Sequence, residues 1–140
     1  MIKQRHSFHR LLYHLVFTTK NGMDVIRTKQ DEAELVGLFK KKADDLDAYV
    51  EEFGSWFNHV HLLVRSSPAL ALSNLYGRLK GFASRGWNLK HPDRMLAWSD
   101  GVFAATVDPE ENEELRVYIR NQRLHHEKKT KVARWEHDDD

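Results

Sequence analysis

Apolar and polar positions change their spacing along the chain, and these changes delimit its elements. Residues 9–20, HRLLYHLVFTTK, are rich in β-branched and aromatic residues and end at the turn dipeptide Asn21-Gly22, so they predict a strand. In residues 29–46 the apolar positions recur at spacings of three, four and three, which predicts a helix. The residues that set this spacing are Val36, Phe39, Ala43 and Leu46.

The middle of the chain predicts two strands followed by a second helix. Residues 48–57 form the first strand, with Gly54 as a candidate bulge, and HVHLLVR at 59–65 forms the second. Ser67-Pro68 has the character of an N-cap and first helical position. A narrow apolar stripe then continues the helix through Leu72, Leu75, Leu79, Phe82 and Gly86.

The last part of the chain predicts a strand at 97–107 and a final helix. Asp108, Pro109 and Glu111 supply a side-chain cap, a preset φ angle and a first-turn carboxylate for that helix. The element order is therefore β-α-β-β-α-β-α. Its first six elements are those of an α+β, ferredoxin-like split βαβ fold, in which an antiparallel sheet carries two helices on one face. The C-terminal helix is additional.

Composition indicates one soluble domain. The 140 residues suit a single core, and no repeat or long linker divides them, so one domain is expected over 1–140, with a flexible tail at about 135–140. There is no 18-residue apolar run and no leader-like N-terminus, which predicts neither a membrane span nor a secretory signal. Cysteine is absent, which excludes disulfides, thiolate metal sites and cysteine nucleophiles, and a cytoplasmic location fits best.

Basic residues are segregated although the formal net charge is only +1. One group accompanies the second helix, and another follows the final strand. Their members are Arg78, Lys80, Arg85, Lys90 and Arg94, and then Arg116, Arg120, Arg123, Lys128, Lys129, Lys131 and Arg134. The groups suit either a nucleic-acid surface or two ordinary solvated helix faces, and both interpretations remain open.

Two histidines share one face of a strongly apolar strand. His59 and His61 are two residues apart, so both point to one side of the sheet, about 6–7 Å apart at Cα. Val60, Leu62 and Val64 point to the other side, where the two helices are expected. Imidazole is a common ligand of divalent transition metals, so the pair is a candidate metal site.

An accidental pair is the competing interpretation, because the chain has nine histidines. The other histidines are weaker candidates. His9 and His14 are five residues apart on one strand and therefore face opposite sides, while His125 and His126 diverge by about 100° on a helix.

The final helix carries a tyrosine in polar company. Tyr118 and Gln122 are four residues apart and share a face, with His125 one turn further on. A core tyrosine would share its stripe with Leu, Ile or Val, whereas this stripe extends backwards to Glu114 and Glu111. Either a surface tyrosine or a functional one fits the spacing.

Five sequence blocks resemble the IS200/IS605-type single-tyrosine transposases, including their REP-associated relatives, in the HUH endonuclease superfamily. The blocks are YHLVFTTK (13–20), NHVHLLV (58–64), LKGFASR (79–85), WSDGVFAATV (98–107) and YIRNQRLHH (118–126). They occur in family order and span nearly the whole chain. A histidine pair alone is a weak signal, but followed at this distance by Tyr-x-x-x-Gln it is specific.

The resemblance implies a role for each matching residue. His59 and His61 match the metal ligands, Gln122 the third ligand, and Tyr118 the nucleophile. The implied activity is that of a DNA transposase: a single-strand endonuclease and strand transferase that forms a covalent 5′-phosphotyrosine intermediate with Mg²⁺ or Mn²⁺ and no nucleotide cofactor. Ligand chemistry alone favours Mn²⁺ or Zn²⁺, because two imidazoles and an amide oxygen suit them better than Mg²⁺.

The resemblance also implies single-stranded or hairpin DNA as substrate, a homodimer, and a tyrosine that serves its own or its partner's histidines. Two departures from the family concern subgroup and DNA target. The stretch TTKNGMDVI lacks the arginine that often follows the first-strand lysine, and Trp56-Phe57 stands where Met-Pro is common.

Phosphate-binding candidates are Arg78, Lys80, Arg85 and Arg123, and base-stacking candidates are Trp56, Trp87 and Trp98. Arg116 and Arg120 are expected to point away from Tyr118. Two rival functions remain: a ferredoxin-like module that grips hairpin DNA without catalysis, and a metal-dependent phosphodiesterase that uses a bound water.

Overall fold

A four-stranded antiparallel sheet organises the chain. The computed structural model describes residues 3–4, 7–8, 10–108, 110–128 and 135–136. The strands are β1 (Lys3–Gln4), β2 (Ser7–Phe8), β3 (Leu11–Thr18), β4 (Tyr49–Trp56), β5 (His59–Ser66) and β6 (Phe103–Thr106). The α-helices are α1 (Lys29–Asp45), α2 (Leu72–Lys90), α3 (Asn112–Arg120) and α4 (Gln122–Lys128), and a 3-10 turn covers Lys20–Gly22.

The sheet has the strand order β4-β5-β3-β6, and every neighbouring pair is antiparallel. With α1 between β3 and β4, and α2 between β5 and β6, this is the ferredoxin-like arrangement. The predicted α+β fold is therefore confirmed. Strands β1 and β2 form a separate two-stranded pair that the sequence pattern did not predict.

Helices α1 and α2 cover one face of the sheet. Val60, Leu62 and Val64 of β5 are fully buried there, as the alternation along the strand predicts. The helices contribute an apolar stripe to the same core: Leu35, Phe39 and Ala43 from α1, and Leu75, Leu79, Ala83 and Trp87 from α2. Each large side chain buried in this way contributes about 1.5–3 kcal/mol of transfer free energy.

The opposite face is covered by α3. Leu12 and Leu63 point to this side of the sheet, where they form a second core with Leu115 and Ile119 of α3. Tyr118 and Trp135 complete the cluster. The additional C-terminal helix therefore covers the sheet face that the ferredoxin-like plan leaves open, which is also the face of His59 and His61.

The start of α1 is fixed by side chains. Thr28 Oγ1 accepts a hydrogen bond from the Asp31 amide (3.0 Å), and the Asp31 carboxylate accepts one from the Thr28 amide (3.2 Å), which makes a capping box. Arg94, in the segment after α2, donates to both Asp31 oxygens, at 2.7 and 3.2 Å. This hydrogen bonding by Arg94 is the main reason that the pKa of Asp31 is lowered to about 2.

Two predicted helix starts were wrong. Helix α2 begins at Leu72 rather than at Ser67-Pro68, because Ser67 instead closes a short turn by accepting the Ala69 amide on its side chain (3.1 Å). Helix α3 begins at Asn112, because Asp108 Oδ1 accepts the Glu110 amide two residues on (2.9 Å). Pro109 lies outside the described residues.

The strand and final-helix predictions also need correction. The strand expected at 97–107 is confined to β6 (Phe103–Thr106), with a single bridge between Trp98 and Thr19. The bulge in β4 lies between Val50 and Glu52, not at Gly54. The single final helix is interrupted at Asn121 (φ −102°, ψ 28°), which separates α3 from α4.

Two residues of the expected tail, Trp135 and Glu136, are docked on the protein body instead, with side chains buried against α3 and β5. Residues 137–140 lie outside the described part of the chain. Among the described residues, none of the helices combines the length and hydrophobicity that a membrane crossing requires.

Candidate active site

The histidine pair lies on the central strand β5. His59 and His61 are 2% and 0% exposed, and their ring centroids are 5.2 Å apart. His61 pairs with Val16 on one side and with Gly54 on the other, so backbone ladders on both sides position it. The predicted pair therefore faces one side of the sheet, under α3 and α4, and is almost fully shielded from solvent.

Gly54 allows the helical layer to approach this strand closely. A Cβ atom at this position would lie 1.7 Å from the carbonyl oxygen of Ile119, and 3.1 Å from Cγ of Gln122. The last turn of α3 and the first turn of α4 thus rest directly on the backbone beside His61. Any larger residue would hold both helices away from the histidines.

The break at Asn121 places Tyr118 and Gln122 on either side of a helix junction. The Tyr118 ring is 3% exposed, stacks on His125 at 4.3 Å between centroids, and lies 6.3 Å from the His61 ring. Gln122 is 1% exposed. The four residues predicted from the sequence, Tyr118, Gln122, His59 and His61, therefore converge within one chain.

Glu136 lies at the centre of this group. Its Oε1 lies 3.1 Å from His61 Nε2 and 3.4 Å from His59 Nε2. Its Oε2 accepts hydrogen bonds from the Tyr118 hydroxyl and from the Gln122 amide nitrogen (3.2 Å). One carboxylate thus joins the tyrosine to the histidine pair, and it does so with a side chain that is only 4% exposed.

A fifth side chain around Glu136, that of His126 on α4, completes the cluster. Its Nε2 lies 3.6 Å from Glu136 Oε1, and its ring is 4.8 Å from the His59 ring. The His126 ring also stacks on Trp56 at 5.0 Å, nearly parallel. Trp56 is therefore a wall of the site.

A contact at Nδ1 of each β5 imidazole orients its Nε2, the nitrogen that faces Glu136. His59 Nδ1 donates to Asn58 Oδ1 (2.9 Å), so its Nε2 carries the lone pair in the neutral ring. His61 Nδ1 lies 2.9 Å from Nε2 of His14 on the neighbouring strand. Burial, followed by repulsion from His61, lowers the pKa of His14 to about 3, and burial also lowers the pKa of His61. His14 is therefore neutral at physiological pH, and burial favours the neutral form of His61, which is the form of imidazole that can bind a metal.

The donor set fits a divalent cation. Five buried side-chain atoms have no hydrogen-bond partner among the described residues, and three of them belong to this cluster: His59 Nε2, Gln122 Oε1 and His126 Nε2. Burial raises the pKa of the Glu136 carboxyl, but contacts with His126, His59 and His61 outweigh this effect and hold it well below its usual range. Unpartnered imidazole nitrogens and an amide oxygen around an ionised carboxylate are ligands that a transition metal accepts.

Sequence reasoning missed His14, His126 and Glu136. His14 was compared only with His9, which lies outside the described side chains. Side chains alternate along β3, so His14 points to the side of the sheet opposite to the buried Leu15 and Phe17. This is the side of His61. His126 was set aside because it diverges from His125, although divergence leaves one of the two free to turn inward. Nothing in the sequence pattern indicated that Glu136 would join the site.

The basic residues divide between the two faces of the sheet. Arg78, Lys80 and Arg85 lie on α2, across the sheet from the histidines. Arg78 and Arg85 are exposed, whereas Lys80 Nζ donates to the Ser99 carbonyl (2.8 Å) and burial lowers its pKa. Only Arg123 lies near the site, where its guanidinium stands 5.9 Å from the Trp56 ring.

The arginines of α3 and α4 form ion pairs with glutamates of neighbouring elements. Arg123 pairs with Glu32 (3.2 Å) and donates to the Ile26 carbonyl (3.1 Å). As predicted, Arg116 and Arg120 point away from Tyr118, and they pair with Glu51 and Glu52 of β4. The second basic group is thus partly neutralised by the fold. Lys129, Lys131 and Arg134 lie outside the described residues.

Two of the tryptophans proposed for stacking belong to the large core. Trp87 is fully buried and donates its Nε1–H to the Arg94 carbonyl (2.9 Å). Trp98 packs against the same core and donates to the Lys80 carbonyl (3.0 Å). Trp56, beside His126, is the remaining candidate for contact with a base.

The fold, and the meeting of a histidine pair with a helix-borne tyrosine, indicate a transposase of the single-tyrosine class. The family model described as "Transposase IS200 like" matches residues 7–122, so the chain belongs to the IS200-like transposase family. No curated protein sequence matches the chain.

Nine chains of solved structures match this chain, including the following two. A candidate transposase from Deinococcus radiodurans R1 is 24% identical with a TM-score of 0.68, over 87% of this chain and 98% of its own. A REP-associated tyrosine transposase bound to a REP hairpin is 12% identical with a TM-score of 0.63, over 90% of this chain and 74% of its own.

Proposed function

We propose that this transposase cleaves and rejoins single-stranded DNA through a covalent bond to Tyr118. One observation carries the proposal: the Tyr118 hydroxyl and the Nε2 atoms of the histidine pair contact the two oxygens of a single carboxylate. A nucleophile and metal-type ligands therefore lie within one small, shielded volume. Such proximity is what a phosphoryl-transfer site needs.

The chemistry is a transesterification. The Tyr118 oxygen bonds to phosphorus, the bond from phosphorus to the 3′ oxygen breaks, and that oxygen leaves with a proton as a free 3′-hydroxyl. The phenolic proton has an acceptor in Glu136 Oε2, which already receives its hydrogen bond. The DNA 5′ end stays on the protein as a phosphotyrosine ester, which conserves the bond energy for transfer to a new 3′-hydroxyl.

His59, His61 and Gln122 would hold the divalent metal, either Mg²⁺ or Mn²⁺. Bound there, the cation neutralises charge that develops on the phosphoryl oxygens and favours the phenolate. The residues themselves do the positioning. Asn58 and His14 orient the two imidazoles, and Gly54 lets the helix junction bring Tyr118 and Gln122 to them.

Hairpin-bearing single strands are the proposed substrate. The family assignment and the REP hairpin bound to the second structural neighbour support this choice. Phosphates would be held by Arg123, with Arg78, Lys80 and Arg85 serving DNA that passes to the other face. We further propose a homodimer, as in the family. Because Tyr118 meets the histidines of its own chain here, the proposed attack occurs in cis.

The test is a search for the covalent adduct. The protein is incubated with a mixed pool of hairpin-bearing single-stranded DNA and Mn²⁺ or Mg²⁺, denatured in detergent, and separated by electrophoresis. Because the ester holds the downstream fragment, a label at the DNA 3′ end should migrate with protein, and a label at the 5′ end should not. Tyr118→Phe and His59→Ala should each abolish the labelled band.

Tyr49→Phe is the matched control, because Tyr49 is 65% exposed on β4 and far from this cluster. It should leave adduct formation unchanged. Cleavage without a labelled protein band would favour a phosphodiesterase that uses water. Binding of the hairpin pool without any cleavage would favour a non-catalytic DNA-binding module.

A further inference from the structure

Three imidazole nitrogens surround a single oxygen atom of Glu136. The Nε2 atoms of His61, His59 and His126 lie 3.1, 3.4 and 3.6 Å from Oε1. Their side chains are between 0% and 8% exposed. Two of the nitrogens, in His59 and His126, have no hydrogen-bond partner among the residues that the structure describes. Buried lone pairs without partners are costly unless another group binds them.

The distances from Oε1 to the three nitrogens are close to those between ligands that share a metal. When each ligand is about 2.1 Å from the cation, neighbouring ligands are about 3.4 Å apart in a tetrahedral shell and about 3.0 Å apart in an octahedral one. The distances from Oε1 to His61 and His59, 3.1 and 3.4 Å, fall within this range, and the distance to His126, 3.6 Å, exceeds it slightly. Ligand atoms of His59, His126 and Glu136 also lie within 4.8 Å of one another.

We propose that His126 and Glu136 are metal ligands in addition to His59, His61 and Gln122, so that the site offers three imidazoles, one carboxylate and one amide oxygen. The inference deepens the proposed metal-dependent function and rests on it for its biological role. A metal-binding set of this composition selects a transition metal, such as Mn²⁺, Co²⁺ or Zn²⁺, over Mg²⁺, which prefers oxygen ligands. Mn²⁺ rather than Mg²⁺ is then the working metal.

The surroundings of Glu136 support a fixed ligand rather than a passing contact. The neighbouring Trp135 is 7% exposed, packs on the Tyr118 ring at 5.0 Å, and donates its Nε1–H to Glu111 (2.9 Å). Glu136 Oε2 is held by Tyr118 and Gln122. With Oε2 so oriented, Oε1 is left facing the imidazoles. The same carboxylate then fixes the distance between the metal and the tyrosine.

His126 is positioned as firmly. Its ring stacks on Trp56, at 5.0 Å and 9° from parallel, and also contacts the His59 ring at 4.8 Å. This stacking leaves few orientations for the imidazole. Its Nε2 lies 3.6 Å from Glu136 Oε1, just beyond hydrogen-bond distance.

The experiment measures metal binding without DNA. The full-length protein, stripped with chelator, is titrated with Co²⁺, whose visible absorption reports both affinity and coordination number, and with Mn²⁺ and Mg²⁺ by calorimetry. The variants are Glu136→Gln and His126→Phe, which keep size and, for the second, the stack on Trp56. Glu127→Gln, on an exposed position of α4, is the matched control.

Loss of a ligand should weaken Co²⁺ and Mn²⁺ binding by more than about tenfold, because even residues that only support ligands change affinity by about 10–100-fold. Each variant should also change the Co²⁺ spectrum, whereas Glu127→Gln should match the wild type, and Mg²⁺ should compete poorly for the wild-type site. A circular dichroism melt of each variant verifies that it is folded before titration.

Unchanged Co²⁺ affinity and spectrum in both folded variants would overturn the inference. So would tighter binding by Glu136→Gln, since the carboxylate would then compete with the metal instead of binding it. The adduct assay separates this result from the proposed function. Ligand-dependent Co²⁺ binding without any Tyr118 adduct would uphold the site and reject the function. Formation of the Tyr118 adduct, together with unaltered metal binding in the variants, would uphold the proposed function and reject His126 and Glu136 as ligands.

Discussion

A single methyl group added at Gly54 should separate the two halves of the site. The Cβ of Gly54→Ala would lie 1.7 Å from the Ile119 carbonyl oxygen, whereas real contacts of this kind are not below 3.0 Å. The helix junction must therefore retreat by about 1.3 Å, the difference between these two distances. The obstacle is backbone, so no side-chain rotation can relieve it, and Tyr118 and Gln122 move with the junction while His61 stays in its ladder.

The expected loss follows from that displacement. A misplacement of about 1 Å can cost about 100-fold in rate, so the 3′-labelled adduct should form about 100 times more slowly in Gly54→Ala. Overpacking should also lower the free energy of unfolding by about 1–3 kcal/mol. Adduct formation is measured as a time course with excess DNA, and stability by urea denaturation followed by circular dichroism.

Gly77→Ala provides the comparison for Gly54→Ala. Gly77 lies on an exposed position of α2, and a Cβ there would meet nothing within 4 Å. This variant should keep the wild-type adduct rate and gain up to about 1 kcal/mol, since alanine favours a helix over glycine by roughly that amount. If Gly54→Ala formed the adduct at the wild-type rate, the close approach of the helix junction would not be what positions Tyr118.

Three further predictions concern the supports of the fold and site. The pKa of Asp31 is lowered from 3.8 to about 2, so its ionised form contributes about 2 kcal/mol above pH 4, and this is lost as the pH falls towards 2. Asp31→Asn should lack this component, and urea denaturation of both proteins at pH 6 and pH 2.5 should therefore give stabilities that converge at the lower pH. His14→Phe should weaken Co²⁺ binding by about 10–100-fold, because Nδ1 of His61 loses the partner that sets its tautomer, and calorimetry should detect the change while the melting curve stays cooperative. Leu62→Ala, at a fully buried position of the large core, should lower the free energy of unfolding by about 2–5 kcal/mol in urea, and a smaller loss would mean that the core collapses around the deletion.

Local periodicity was a sound guide to the large core. Alternation along β5 separated Val60, Leu62 and Val64 from the two histidines, and helical spacing identified α1, because each pattern reflects a face buried against another layer. Helix starts were less predictable. Ser67 and Asp108 are residue types that often cap helices, but here each side chain accepts the amide two residues on and forms a local turn instead. Which of the two hydrogen bonds forms depends on the path of the following chain.

Sequence spacing grouped candidate residues that are close along the chain and not those that meet across elements. His59 and His61 lie on one strand. Tyr118 and Gln122 have a helical spacing that predicts a common side, although the interruption at Asn121 places them in α3 and α4. His14, His126 and Glu136 join them from β3, α4 and the C-terminal segment. Their convergence depends on strand register, on the interruption at Asn121 and on docking of Trp135, none of which leaves a periodic signal.

The ladders of β5 and the ion pairs of the helical layer give the site two kinds of mechanical support. The histidine pair is held by backbone hydrogen bonds from strands on both sides, which dissolved ions barely affect. Tyr118 is carried by a layer that arginine–glutamate pairs attach to β4 and α1. Salt weakens such partly exposed pairs, because the Debye length shortens from about 8 Å at physiological ionic strength to about 3 Å at 1 M. Raising the salt concentration should therefore loosen the helices that carry Tyr118 before it disturbs the strand that carries the histidines. Ionic strength is then a means of moving the tyrosine relative to a fixed histidine pair.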